Sequence, residues 1–325
     1  MSALSPQDAG RDEGPPGEGA PGSATAEWAR KRERSNVATI KLMAWIAVTF
    51  GRRLARLVLH PITIYFLIFS PSAARHSRRF LRRALGRQPV FKDHYRHILC
   101  FASTLLDRVY LLRAGPDDFK ITLTGHVKVA EAARQDPGCF LVGAHLGSFE
   151  SLRVVGDQIG GLKVAMVMYP DNARLLNQTL EALAPKTKPH VIALGQAAAM
   201  LAVRDWLDAG GVAGILGDRS LHADPQATRA LRVPFLGKEA EFIDGPMRLA
   251  ALLKRRVFFM VGLYQGGAHY DVRLHELADF RDVAPHDREI RIREAMLAYV
   301  ATLETLAREA PYNWFNFHDF WNEDI

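Results

Sequence analysis

The stretch that decides the fold is "CFLVGAHLGSFE", Cys139 to Glu150. "CFLV" is apolar at every position, so it reads as a strand covered on both faces rather than one with a wet side. The small residues of "GAHLGS" end that run, and "GSFESLRVVGDQIG" (147–160) then carries helical spacing. A buried strand that passes directly into a helix is half of a βαβ unit.

The same alternation continues in both directions. Upstream, "KITLTG" (120–125) alternates like a strand, and "HVKVAEAARQD" (126–136) is a helix stopped by Pro137-Gly138. Downstream, strands are expected at "KVAMVMY" (163–169), "HVIAL" (190–194), "VAGILG" (212–217) and "RVFFMVGLY" (256–264), with "AHYDVRLHEL" (268–277) following the last of these. Helices are expected at "NARLLNQTLEALAP" (172–185), "GQAAAMLAVRDWLDAG" (195–210), "PMRLAALLKR" (246–255) and "REIRIREAMLAYVATLETLAREA" (288–310). Such a chain predicts an α/β fold: a central, mostly parallel sheet flanked by helices.

Ligand sites in such sheets lie beyond the carboxyl ends of the strands. His145, Tyr169, Asp218 and Arg219 all fall at or just after predicted strand ends. On one ideal helix His145 and Glu150 would point to different faces. With His145 in the turn before the helix, however, Glu150 can reach back to the imidazole. A carboxylate on one ring nitrogen fixes the tautomer, and the other nitrogen can then take a proton from a hydroxyl. Gly147 and the free amides of the helix start would help to hold an anion. The stretch is not the G-x-S-x-G elbow of serine hydrolases, and "GILGDRS" (214–220) lacks the Gly-Lys-Ser/Thr of a phosphate loop.

The chain has 325 residues and a net charge of +7, but the basic residues crowd into 28–97, where only Glu33 and Asp93 oppose them. That segment suits an anionic partner. Residues 1–27 are rich in Pro, Gly, Ala and acids and read as a disordered tail. Between 37 and 70 two apolar runs flank "GRRLAR", each short of the roughly 20 residues that a spanning helix needs. Basic flanks suit an interfacial helix or shallow hairpin on an anionic leaflet; the plainer alternative is an amphipathic pair packed on the protein's own core. Residues 28–92 are therefore read as a membrane-associating helical region and 93–325 as the α/β domain. "SPSAARHSRRFLRRALGR" (70–87) is a basic helix entered through Ser70-Pro71. In "DHYRHILCFASTLLDRVYLL" (93–112), His94, His97 and Arg108 read as structural or surface residues. Nucleic acid is not expected, since no recognition motif accompanies the charge. Cys100 and Cys139 stand in apolar settings, no Cys/His spacing suits zinc, and no metal or cofactor is expected.

Five blocks, in order, carry a resemblance to a known family. They are "GAHLGSFE" (143–150), "MYPDNARLLN" (168–177), "GILGDRS" (214–220), "VPFLGKEAEFIDGPMRLAALLKRRV" (233–257) and "APYNWFNFHDFW" (310–321). The chain resembles the late acyltransferases of lipid A biosynthesis, within the lysophospholipid acyltransferase superfamily, over residues 37–321. Ser148-Phe149 stand where typical members carry Asn-Trp, and Pro170 where an arginine is common. The resemblance implies a glycerolipid acyltransferase-like fold and a membrane-bound O-acyltransferase at the cytoplasmic face of a bacterial inner membrane. The donor would be acyl carrier protein or acyl-CoA, the former an acidic protein steered by basic surface. The acceptor would be a hydroxyl of a lipid A-like lipid or another glycolipid or aminolipid. It further implies His145 as general base, Glu150 as its orienting partner and Asp218 as support by charge or hydrogen bonding. Arg219 would meet donor phosphate or developing negative charge, Tyr169, Asn172 and Ser148 would line the acceptor side, and Phe235 would border the acyl tunnel. "VPFLG" otherwise reads as a packed turn and "NWFNFHDFW" as packing and membrane-interface aromatics. Two alternatives stay open: a glycerophospholipid acyltransferase using the same dyad, and a non-catalytic membrane-binding scaffold.

Overall fold

The computed structural model describes residues 49, 51–113, 118–135, 137–150, 161–168, 190–194, 197–218 and 230–323. All of them belong to one compact unit, Lys41–Ile325. The expected tail at 1–27, the first apolar run up to residue 48 and the helix expected at 172–185 lie outside the described residues, as does the helix of 147–160 beyond Glu150.

Three helices come first. α1 (Gly51–Phe69) and α2 (Pro71–Leu85) meet at a 96° bend, and α3 (Phe91–Arg113) follows. The bend falls at Ser70, just before Pro71 enters the first turn of α2, where proline's missing N–H costs no helical hydrogen bond. α2 ends at Gly86 in the left-handed conformation, the usual glycine stop. α1 has two unlike faces. Ala55 and Leu59 are buried against Leu106 of α3, with Leu99, Ala102 and Tyr110 packed around them. On the other side Leu54, Leu57, Ile64, Tyr65, Phe66, Ile68 and Phe69 stand exposed. The inner face thus packs on the protein's own helices, as the plainer sequence reading has it.

The sheet contains β1 (Lys120–Thr124), β2 (Cys139–Gly143), β3 (Val164–Met168), β4 (His190–Ala193), β5 (Val212–Leu216), β8 (Arg256–Gly266) and β9 (His269–Asp279). Its strand order is β1-β9-β8-β2-β5-β3-β4. Every pair is parallel except β8 with β9. β6 (Ala230–Phe235) and β7 (Lys238–Ile243) form a separate antiparallel hairpin. The sequence presented this stretch as a packed turn; the turn is there, at Leu236-Gly237, with a strand on either side. Both turn residues have positive φ, 52° and 79°, as a two-residue hairpin of this hand demands. Leucine is costly there. Its side chain is buried, and its amide donates to Glu304 Oε2 at 3.1 Å, which together offset that cost.

Strand β2 is buried at every position, and its side chains alternate between two cores. Phe140 and Val142 join the larger one, built with α2, α5 (Ala197–Asp208), α6 (Gly245–Leu252) and α7 (Arg288–Glu309). Cys139 and Leu141 join the smaller one, built with Val129, Ala132 and Ala133 of α4 (His126–Gln135). Helices on both faces explain why the central strands are apolar throughout. Cys100 and Cys139 are both buried.

Candidate active site

Neighbouring parallel strands bring His145 and Asp218 together. β2 and β5 pair in register, with Gly143 opposite Leu216. The chain leaves both strands together, held by Gly217 N–H donating to the Gly143 carbonyl at 3.0 Å. Tyr299 of α7 donates its hydroxyl to the same carbonyl at 2.9 Å. Two residues beyond each strand end stand His145 and Asp218. His145 Nδ1 lies 2.8 Å from Asp218 Oδ1, and the His145 amide donates to Oδ2 at 2.9 Å. Trp314 Nε1–H donates to Oδ2 at 3.0 Å.

A carboxylate can only accept, so it holds the proton of the neutral imidazole on Nδ1 and leaves Nε2 with its lone pair outward. Exposure fits that division: the His145 side chain is 31% accessible and that of Asp218 only 2%. The Asp218 charge also acts on Tyr299, whose hydroxyl is pushed well above its ordinary range, by burial first and by Asp218 second.

Glu150 lies elsewhere. Its Oε1 is 2.6 Å from Arg108 Nε of α3. The expectation that Glu150 orients His145 is thus corrected by the contacts: Asp218 holds Nδ1, and Glu150 pairs with an arginine read in the sequence as structural or surface. The expected anion-holding amides are also engaged. Gly147 N–H donates to the Asn313 carbonyl and Ser148 N–H to the Gly262 carbonyl, each at 2.8 Å. Gly147 is needed where it is, since at φ 74° a Cβ would fall 2.1 Å from the Gly262 oxygen. Ser148 is buried. Phe149 packs towards Gly214 of β5, where an added Cβ would come 3.0 Å from the phenyl ring.

The aromatic C-terminal block does more than pack. Phe315 N–H donates to the His145 carbonyl at 2.8 Å, and Leu146 and Trp314 form a backbone bridge. Asn313 grips Tyr264 of β8, its Oδ1 accepting the Tyr264 amide at 2.7 Å. The strip 313–315 therefore lies along the histidine loop like a short strand. Phe235 is wholly buried among Trp314, Phe242, Phe320 and Trp321, so the structure places it behind the Trp314 indole. Tyr169, Asn172 and Arg219 lie outside the described residues. Among the residues that matter here, sequence reasoning missed Arg108, Asn313 and Trp314. The "NWF" of 313–315 was visible, but nothing in its composition shows which carboxylate the indole would meet.

The arrangement can take a proton at His145 Nε2, and the Asp218 carboxylate on Nδ1 stabilises the imidazolium that results. It holds an activated hydroxyl's base in one tautomer, which suits group transfer to an alcohol. The family model for bacterial lipid A biosynthesis acyltransferases matches residues 38–323. No curated protein matches the chain.

Proposed function

The chain belongs to the bacterial lipid A biosynthesis acyltransferase family and is an acyltransferase, and from that premise we propose that His145 and Asp218 carry the transfer of a fatty acyl chain from a carrier thioester to a hydroxyl of a lipid A-like acceptor. The observation that carries this reading is the His145–Asp218 pair, built on adjacent strand ends with one nitrogen engaged and the other outward.

In the proposed step the acceptor hydroxyl gives its proton to His145 Nε2 as its oxygen attacks the thioester carbonyl. The new C–O bond forms, the C–S bond breaks, and the departing thiolate takes the proton back from the imidazolium. Asp218 stabilises that imidazolium and keeps the ring from turning. Arg108 and Glu150 set the charge on the α3 side of the histidine loop. Arg219, Tyr169 and Asn172 are assigned to substrate on the family resemblance. The donor is acyl carrier protein, with acyl-CoA as the competing thioester.

The exposed face of α1 supports a seat on the cytoplasmic leaflet of the inner membrane. No described helix is long and apolar enough to cross a membrane alone. Its apolar side chains, joined by exposed Val90, Phe91, Phe101 and Leu105, suit burial at a lipid interface. Exposed arginines at 53, 78 and 82 suit anionic headgroups.

The test is acyl transfer by purified protein with each thioester donor and a lipid A precursor, read by mass spectrometry. One acyl-sized mass gain with wild type and none with His145→Ala is the expected result. Full transfer by His145→Ala would refute the assignment.

A further inference from the structure

One buried titratable group takes no part in the chemistry above, yet it touches the strip that holds the site. His97 of α3 is 0% exposed. Its Nε2 lies 2.8 Å from the Trp314 carbonyl oxygen, and its Nδ1 lies 2.9 Å from Ser77 Oγ of α2. A carbonyl can only accept, so the proton sits on Nε2. The Ser77 hydroxyl must then donate to Nδ1. Burial pushes the imidazole down to about 4, and so keeps the ring neutral with both nitrogens used.

Trp314 is where this network meets the catalytic pair. Its indole donates to Asp218. Its backbone bridges Leu146, the residue after His145, and its chain neighbour Phe315 donates to the His145 carbonyl. The indole itself is packed edge-on by Phe80 at 4.8 Å, Phe320 at 5.0 Å and Phe235 at 5.3 Å. Rings hold its plane, and its peptide is held by Phe315 N–H on the His145 carbonyl and by Asn316 N–H on the Trp314 carbonyl, each at 2.8 Å. His97 adds a buried side-chain hydrogen bond to that same Trp314 carbonyl and so ties it to α3.

We propose that His97 is a positioning residue for acyl transfer: by donating to the Trp314 carbonyl it sets the indole N–H on Asp218 and the strip 313–315 against the His145 loop. Ser77 takes part by fixing which nitrogen of His97 donates. Through these two residues, α2 and α3 govern the alignment of a base that neither helix carries. The inference rests on the reading of His145 and Asp218 as the catalytic pair.

The experiment uses the full-length protein with 15N-labelled tryptophan. The indole N–H resonance of Trp314 is assigned by its loss in Trp314→Phe. Misplacing a general base by a fraction of an ångström costs on the order of tenfold or more in rate. His97→Leu is therefore expected to lower kcat by about tenfold or more, leave both KM values within about twofold and shift the Trp314 resonance. His97→Gln, whose amide nitrogen reaches the same carbonyl, is expected to restore the resonance and most of kcat. Ser77→Ala should move both readouts the same way by less. Wild-type kcat in His97→Leu, or a fall in kcat with the resonance unmoved, would overturn the proposal, as would failure of His97→Gln to restore either. If His97→Leu does not fold, Ser77→Ala decides: unchanged kcat and resonance overturn the proposal. Loss of the catalytic reading itself would show separately, as full transfer by His145→Ala, while the resonance still reports the hold of His97 on Trp314.

Discussion

Asp218, almost wholly buried, accepts hydrogen bonds from the His145 ring, the His145 amide and the Trp314 indole. Burying a carboxylate is costly unless its oxygens are matched in this way. The arrangement predicts a strong asymmetry between the two acidic candidates. Asp218→Asn places an amide where an acceptor is needed and releases the tautomer of His145, so kcat should fall on the order of a thousandfold. Glu150→Gln alters the Arg108 pair but not Nδ1, so kcat should stay within about tenfold of wild type. Steady-state transfer by the two purified variants measures the contrast, and equal losses would return Glu150 to the role the sequence first suggested. Gly147 offers a second test. A methyl there meets the Gly262 backbone oxygen at 2.1 Å on a positive-φ residue, so Gly147→Ala should cost at least about 2 kcal/mol and lower Tm. An unchanged melting curve would mean that the loop can move aside.

Elements with uniform environments were the ones legible in the sequence. β2, β5 and β8 are near-continuous apolar runs because helices cover both faces. The glycines and prolines that stop them stand beside them in the chain. Strand adjacency was not legible, because β2 pairs with β5 and β8 rather than with β3. That pairing brings together residues 73 positions apart. Local spacing therefore offered His145 the nearest carboxylate, Glu150, while the fold supplied Asp218. The Asp218 position at a strand end was readable; its contact with His145 was not. The hairpin β6–β7 hid for a related reason, since its Leu236-Gly237 turn lacks the Asn-Gly or Asp-Gly usual at a two-residue turn. α1 shows what periodicity can do when two environments meet on one helix. Its inner face packs on α3, and its outer face carries the prediction. Leu57→Glu with Phe69→Glu alters residues 63% and 65% exposed, so the melting temperature should hold. Each substitution removes roughly 1.5–3 kcal/mol of available burial in lipid and adds a repelled charge. Co-sedimentation with anionic vesicles should therefore collapse while the protein stays folded. Retained binding would refute the proposed lipid-facing role of the outer face of α1.

At the scale of the whole molecule, the helical layer, the C-terminal strip and the sheet are tied by polar groups that titrate. Arg83 of α2 pairs with Glu323 at 2.5 Å and Lys238 of β7 with the same carboxylate at 2.7 Å, while His97 links α3 to Trp314. The histidine sets the response to acid. Its folded value lies near 4 against 6.5 in a solvated chain, so the unfolded state binds the extra proton between those values. Its contribution is fully present above about pH 6.5, declines as pH falls, and is gone below about pH 4; its size is on the order of 3 kcal/mol. His94, pushed down by burial and by Arg78, acts in the same direction. Chemical denaturation followed from pH 7.5 to 4 should therefore show stability falling through this window. His97→Gln, which keeps the donor to Trp314 but cannot titrate, should flatten the fall without abolishing it. An equally steep fall in that variant would place the acid sensitivity of the fold outside the link between α3 and the strip 313–315.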